Sequence, residues 1–266
     1  MTEIKPIPLV VELWYAEDAP DLSDPRLLQG LRSLSADVQP QMESIIVPHG
    51  NGSAPLLTVI MPGSPLGKDG KALPDVSQTW DWEDAEAAVA RCQCSLLLTE
   101  MSGEERFGAG QTPQERWNAM SDVVAELIRL TQPTVLSWPQ SQRVGDPELF
   151  AVGDLDGLIN VRYFSIANDP GAMVMDTLGL YLFGLPDVQC HFRDREPGEI
   201  ATMLFSTAAY LFRSGDVIAD GNTISGPNPD ERLICFREPA LLEPRRQVID
   251  VDLGDPYAAG NRNRSA

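Results

Sequence analysis

Met173-Val-Met-Asp-Thr-Leu-Gly-Leu-Tyr-Leu-Phe-Gly-Leu-Pro-Asp-Val-Gln-Cys-His-Phe192 is almost wholly apolar, yet Asp176, Asp187 and His191 lie inside it. An ionisable group in an apolar run costs free energy unless partners satisfy it. Gly179, Gly184 and Pro186 constrain the backbone path between the two acids. The stretch is therefore either a demanding piece of core or a site. Residues on both sides decide which fold can hold it.

Downstream, residues 187–192 read as a strand. Residues 197–213 read as a helix with a broad apolar face (Ala201, Leu204, Phe205, Ala208, Ala209, Leu211, Phe212). Val217 to Ile224 reads as a hairpin about Asp220-Gly221. Strands at 232–236 and 246–252 follow, and the tail 255–266 is expected to be disordered. Upstream, residues 160–167 and 172–176 read as strands, and Gly153-Asp-Leu-Asp-Gly157 as a seam between two halves. A helix from Thr112 to about Leu130 carries a capping box, Thr112 with Glu115, and Pro113 in its first turn. A strand at 134–138 and a short helix at Asp146-Pro147 separate it from the seam.

The first hundred residues give strands at 8–15, 44–48, 56–61 and 94–99. Helices open at Asp24-Pro25 and near Trp82. That β-α-β-β-α-β order is the pattern of a ferredoxin-like sheet with two helices on one face. The fold class expected is thus α+β: a ferredoxin-like N-terminal part over 1–156, packed with a C-terminal α+β module over 157–254.

Composition narrows the function classes. Hydrophobic residues form 43% of the 266-residue chain, enough for a substantial core. Asp and Glu outnumber Lys and Arg by 39 to 20, for a net charge of −19. This argues against nucleic acid and anionic membranes, because phosphate contacts need basic patches. It fits a basic protein partner or, more simply, an acidic surface that aids solubility. The N-terminus does not read as a signal peptide, and the longest apolar runs are too short to cross a bilayer. Cys92, Cys94, Cys190 and Cys235 make no disulfide framework for a chain of this size. The expected compartment is the cytoplasm, with free thiols.

Each candidate chemistry has a simpler rival. Asp187, Cys190 and His191 with Cys92-Gln-Cys94 offer metal-ligand types, but neighbours on a strand point to opposite faces, so no metal site is expected. No Gly-x-Ser-x-Gly elbow accompanies the two histidines, His49 and His191. Gly108-Ala-Gly110 precedes a helix but has Glu104, Glu105 and Glu115 around it and no following lysine, unlike a phosphate loop. Trp80-Asp-Trp82 reads as a hydrophobic staple at a helix entry, with a cation site as the rival. Asp176 and Asp187 remain as a carboxylate pair whose environments could separate their pKa values, as acid–base work requires. Against this, Asp176 can cap the turn Thr177-Leu178-Gly179, and Asp220 can serve its own turn.

Met175-Asp-Thr-Leu-Gly-Leu180, Phe183-Gly-Leu-Pro-Asp-Val-Gln189, Gly215-Asp-Val-Ile-Ala-Asp-Gly-Asn-Thr-Ile224 and Glu243-Pro-Arg-Arg-Gln-Val-Ile249 carry a resemblance. They resemble a bacterial family catalogued as a domain of unknown function. The run from Cys92 to Trp138 is similar to what usually stands before that module. The resemblance implies a folded module and a bacterial, cytosolic origin, and it transfers no mechanism. Taken together, the expectation is a non-catalytic, protein-binding module of the bacterial cytoplasm, immunity- or secretion-associated, with no cofactor. The rival is a hydrolase using Asp176, Asp187 and His191.

Overall fold

The computed structural model describes residues 5–50, 56–63, 72–102, 110–167, 169–228, 230–254 and 259–260. It is a mixed α+β protein built on two large sheets. The chain divides into two compact units, one over Ile7–Leu158 and one over Ile159 onward together with the N-terminal segment up to Pro6. The predicted tail, 255–266, and the first two residues of Gly108-Ala-Gly110 fall outside the described residues, apart from Ala259 and Gly260 of the tail.

The first unit contains β1 (Val10–Tyr15), α1 (Pro25–Leu34), β2 (Gln39–Pro40), β3 (Ile45–His49), β4 (Leu56–Pro62), α2 (Ala85–Ala90), β5 (Cys94–Ser102), α3 (Pro113–Thr131), β6 (Val135–Trp138) and β7 (Arg143–Gly145). Local chemistry starts the helices as the sequence predicts. Asp24 caps α1 by accepting from the Arg26 N–H, and Thr112 and Glu115 form the capping box of α3.

The sheet order is β2-β3-β4-β5-β1-β6-β7, and every pairing is antiparallel. The expected ferredoxin-like arrangement does not form. That arrangement inserts the first strand between the third and fourth of its pattern. Here those two strands, β4 and β5, pair directly from Leu56↔Ser102 to Pro62↔Leu96, and β1 adds outside β5. The helices also take opposite faces. On one face α3 packs Trp117 against Trp138 with ring centroids 5.1 Å apart. On the other, Ala88 and Val89 of α2 pack on Trp14 and Val135, with Trp82 against the same cluster. Helix α1 packs on α3, and at Gly30 the ends of the Glu126 and Leu130 side chains fill the space a Cβ would take.

Glu100 of β5 is buried beneath α3. Its Oε2 accepts from Arg116 Nη2 at 2.5 Å and from the Leu9 N–H at 2.8 Å. Arg116 also donates to the Ile7 carbonyl at 2.7 Å. Burial pushes the Glu100 carboxyl up, against the pull of Arg116.

The second unit contains β8 (Asn160–Ser165), β9 (Ala172–Leu178), β10 (Asp187–Arg193), α4 (Pro197–Ser214), β11 (Thr223–Ser225), β12 (Arg232–Pro239) and β13 (Gln247–Val251). Its sheet order is β11-β12-β13-β10-β9-β8, with β10 and β13 parallel and all other pairs antiparallel. The predicted hairpin about Asp220-Gly221 is not made. Residues 217–219 take no strand, and Thr223–Ser225 pairs instead with Arg232–Ile234. Helix α4 packs on β8, β9 and β10, with Phe212 edge-on to Phe183 at 5.2 Å. Among the described residues no helix is long and apolar enough to cross a membrane.

Breaking the buried Glu100–Arg116 pair leaves an uncompensated charge under α3. Arg116→Ala should lower the stability of the protein by about 3–5 kcal/mol in urea unfolding. The paired change Glu100→Leu with Arg116→Met should restore most of that loss, and a single variant that unfolds like the wild type would contradict the assignment.

Candidate functional site

The site grows out of the apolar stretch on which the C-terminal half turns. Strand β9 runs to Leu178. The chain then turns through Gly179, a short helical turn over Leu180–Phe183, and Gly184, before β10 begins at Asp187. Gly184 takes φ 77°, a left-handed conformation that costs glycine little and other residues more. The antiparallel register sets Asp176 opposite Gln189 on β10 and opposite Arg162 on β8. Strand alternation carries Asp187, Gln189 and His191 on one face and turns Cys190 to the other, where it is buried.

Two arginines meet the two acids. Arg162 grips Asp176 at both oxygens, Nε to Oδ1 at 2.9 Å and Nη2 to Oδ2 at 2.6 Å. Arg246, just before β13, donates from Nη2 to Asp176 Oδ2 at 2.7 Å and from Nε to Asp187 Oδ2 at 3.0 Å. The second oxygen of Asp187 accepts from the Leu180 N–H at 3.0 Å and from the Thr177 hydroxyl at 3.3 Å. Side-chain exposure is 0% for both acids, 2% for Arg162 and 3% for Arg246. Two negative and two positive groups thus cancel inside the sheet. Fork-shaped guanidinium contacts of this kind are strong because the charges assist the hydrogen bonds.

The remaining arginine donors hold backbone. Arg162 Nη1 donates to the Glu243 carbonyl at 2.8 Å. Arg246 Nη1 donates to Pro244 O at 2.9 Å and Leu242 O at 3.3 Å, and its Nη2 also reaches Thr177 O at 2.9 Å. A second polar link lies beside the first: Gln189 donates to Asp250 Oδ2 at 2.9 Å and accepts from the Leu241 N–H at 2.9 Å. The segment from Ala240 to Arg246 is closed by its own backbone bond, Ala240 N–H to Arg246 O. Its carbonyls are therefore tied down on the sheet, while the side chains of Glu243 and Arg245 stay exposed.

The sequence reading had Asp176 capping the turn Thr177-Leu178-Gly179. The structure places Asp176 in mid-strand, held by both arginines, and Asp187 is the acid that serves the turn through Leu180 N–H. Asp220, expected to serve its own turn, instead accepts from the N–H of Arg237 on β12 at 2.6 Å, and it is Asn222 Oδ1 that accepts from the Ala219 N–H of that turn at 3.0 Å. Asp176 and Asp187 come together around Arg246. His191 lies four residues beyond Asp187 along β10, opposite Val174, and is not among the hydrogen-bond partners of either carboxylate. Among the described residues, no three His, Cys, Asp or Glu side chains form a group that could hold a metal ion. Sequence reasoning missed Arg162, Arg246, Gln189 and Asp250. The Glu243-Pro-Arg-Arg run was the available signal for Arg246.

Burial dominates the electrostatics. It raises the Asp187 carboxyl from 3.8 to about 6, opposed by Arg246 and the Leu180 N–H and reinforced by Asp176. Tyr181 is raised to about 12, chiefly by burial and then by the charge of Asp187.

Residues 176–252 match the model of a family described as a domain of unknown function (DUF4261). The matched span begins at Asp176 and takes in Asp187 and Arg246, three of the four residues of the network, while Arg162 lies before it. No curated protein matches the chain, and no solved structure does.

Two outcomes test this geometry. Arg246→Ala leaves buried Asp187 without a counter-ion and Asp176 with Arg162 alone, and should cost about 3–5 kcal/mol in denaturant unfolding, against less than about 1 kcal/mol for exposed Arg245→Ala. The second outcome is a pH dependence. A carboxyl whose folded pKa is raised favours folding at low pH, and its contribution is lost as pH rises from 3.8 through about 6. The stability of wild type relative to Asp187→Asn should therefore fall across that interval. A difference that stays flat or rises would contradict the burial of Asp187.

Proposed function

We propose that this protein is a non-catalytic, protein-binding module of the bacterial cytoplasm, with an immunity- or secretion-associated role. The observation that carries the reading is the occupancy of the two candidate acids. Every oxygen of Asp176 and Asp187 accepts from an arginine, a hydroxyl or a backbone N–H, and neither side chain is exposed. A general acid or base must reach a substrate proton directly or through one water. Acids held in this way serve to fix the backbone. The net charge of −19 supports a basic partner, since opposite charge speeds encounter and favours register.

The test mixes the purified protein with each product of the genes flanking its own. The expected outcome is a salt-sensitive complex with one of them, and loss of folding stability in Asp176→Asn. Hydrolytic activity that disappears in Asp176→Asn while its melting temperature stays unchanged would overturn the reading in favour of a hydrolase using Asp176, Asp187 and His191.

A further inference from the structure

A groove of about 1080 Å³ lies between helix α4 and strand β11 of the second unit. One wall is a single face of α4, with Glu199, Met203, Ser206 and Tyr210 at helical spacing. Along that face the groove runs for about 18 Å, twelve residues at 1.5 Å each. The opposite wall is β11, the outermost strand of the six-stranded sheet.

The register shows what that wall offers. Cys235 N–H donates to Asn222 O, and Gly226 N–H donates to Glu231 O. Together with the pairing Ile224↔Leu233, these bonds turn the backbone groups of residues 222, 224 and 226 toward β12. The N–H and C=O of Thr223 and Ser225 consequently face the open edge. No hydrogen bond from a described residue outside the sheet reaches them. An open edge is a template for one more strand. A five- or six-residue extended peptide spans about 18 Å, which matches the groove. Among the described residues, Glu199 is the only charged side chain lining it.

We infer that this groove binds an extended peptide segment of a partner protein. The segment adds as a strand to β11 through Thr223 and Ser225, and a basic residue meets Glu199. The inference rests on the protein-binding reading and names where and how that binding occurs. Tyr210, Val217 and Ile224 supply apolar contacts for alternate side chains of the added strand.

The test is a random heptapeptide library selected on the purified full-length protein. Recovered peptides are measured by calorimetry, unmodified and with alternate backbone nitrogens methylated. Ser225→Pro removes an edge N–H without touching the β12 pairing, and proline is tolerated on edge strands. Circular dichroism checks that the variant folds. Lost hydrogen bonds with desolvated acceptors predict that Ser225→Pro and N-methylation each weaken binding about tenfold or more. Glu199→Gln should weaken only the peptides that carry Lys or Arg. Peptides that bind folded Ser225→Pro as tightly as wild type would overturn the inference. So would a library that yields no binder, or an edge occupied by a second copy of the chain and freed by Ser225→Pro. A flanking-gene partner that still binds Ser225→Pro at full strength would sink this inference and leave the protein-binding reading intact.

Discussion

Charge balance inside the second sheet is the constraint on which the rest of that unit depends. Two carboxylates and two guanidiniums are taken out of water, where a lone charge would be prohibitively costly. They are tolerable because each acid oxygen is filled and the sum of the charges is zero. Satisfying them fixes much of the local geometry. Arg162 reaches across from β8, Asp176 lies on β9, Asp187 opens β10, and Arg246 leads into β13. The network therefore stitches strands from both halves of the sheet, and with its spare donors it pins the Leu242–Pro244 carbonyls.

The first unit uses the same device on a smaller scale. Glu100 and Arg116 are buried together, and each spends further hydrogen-bonding capacity on the backbone leading into β1, at Leu9 and Ile7. In both units an arginine from outside the acid's own strand neutralises an acid on a central strand. Such pairs add little stability over a well-packed apolar substitute, but removing one member is severe. Their use is to specify which segments meet, because a misplaced segment leaves a buried charge without its counter-ion. An acidic protein can spend some of its arginines in this way and leave most of its carboxylates at the surface.

How much of this was legible in the sequence follows from the range of each interaction. Helix starts were readable because Asp24, Thr112 and Glu115 act within a few residues. Strand spans were readable from apolar content. The order of strands was not, since β4 pairing directly with β5 depends on contacts made across the intervening chain, and no local pattern encodes it. The same division holds at the site. Asp176 and Asp187 announced themselves as acids in a greasy run. Their partners did not, because Arg162 lies 14 residues from Asp176 and Arg246 lies 70 residues from it. Without the arginines, His191 stood out only by its proximity in sequence, and Asp176 read as the cap of a turn that Asp187 in fact serves. The hairpin at Asp220-Gly221 misled for a related reason. A good turn dipeptide fixes a bend, but the sheet decided which strand β11 would join.

The most direct test is a double-mutant cycle between Asp187 and Arg246. Unfolding free energies of the wild type, Asp187→Asn, Arg246→Met and the double variant are measured at neutral pH. Side chains in one buried ionic network should couple by about 1–3 kcal/mol, with the double variant less destabilised than the sum of the two singles. Additive losses would mean that the acids and arginines do not hold the fold as a unit.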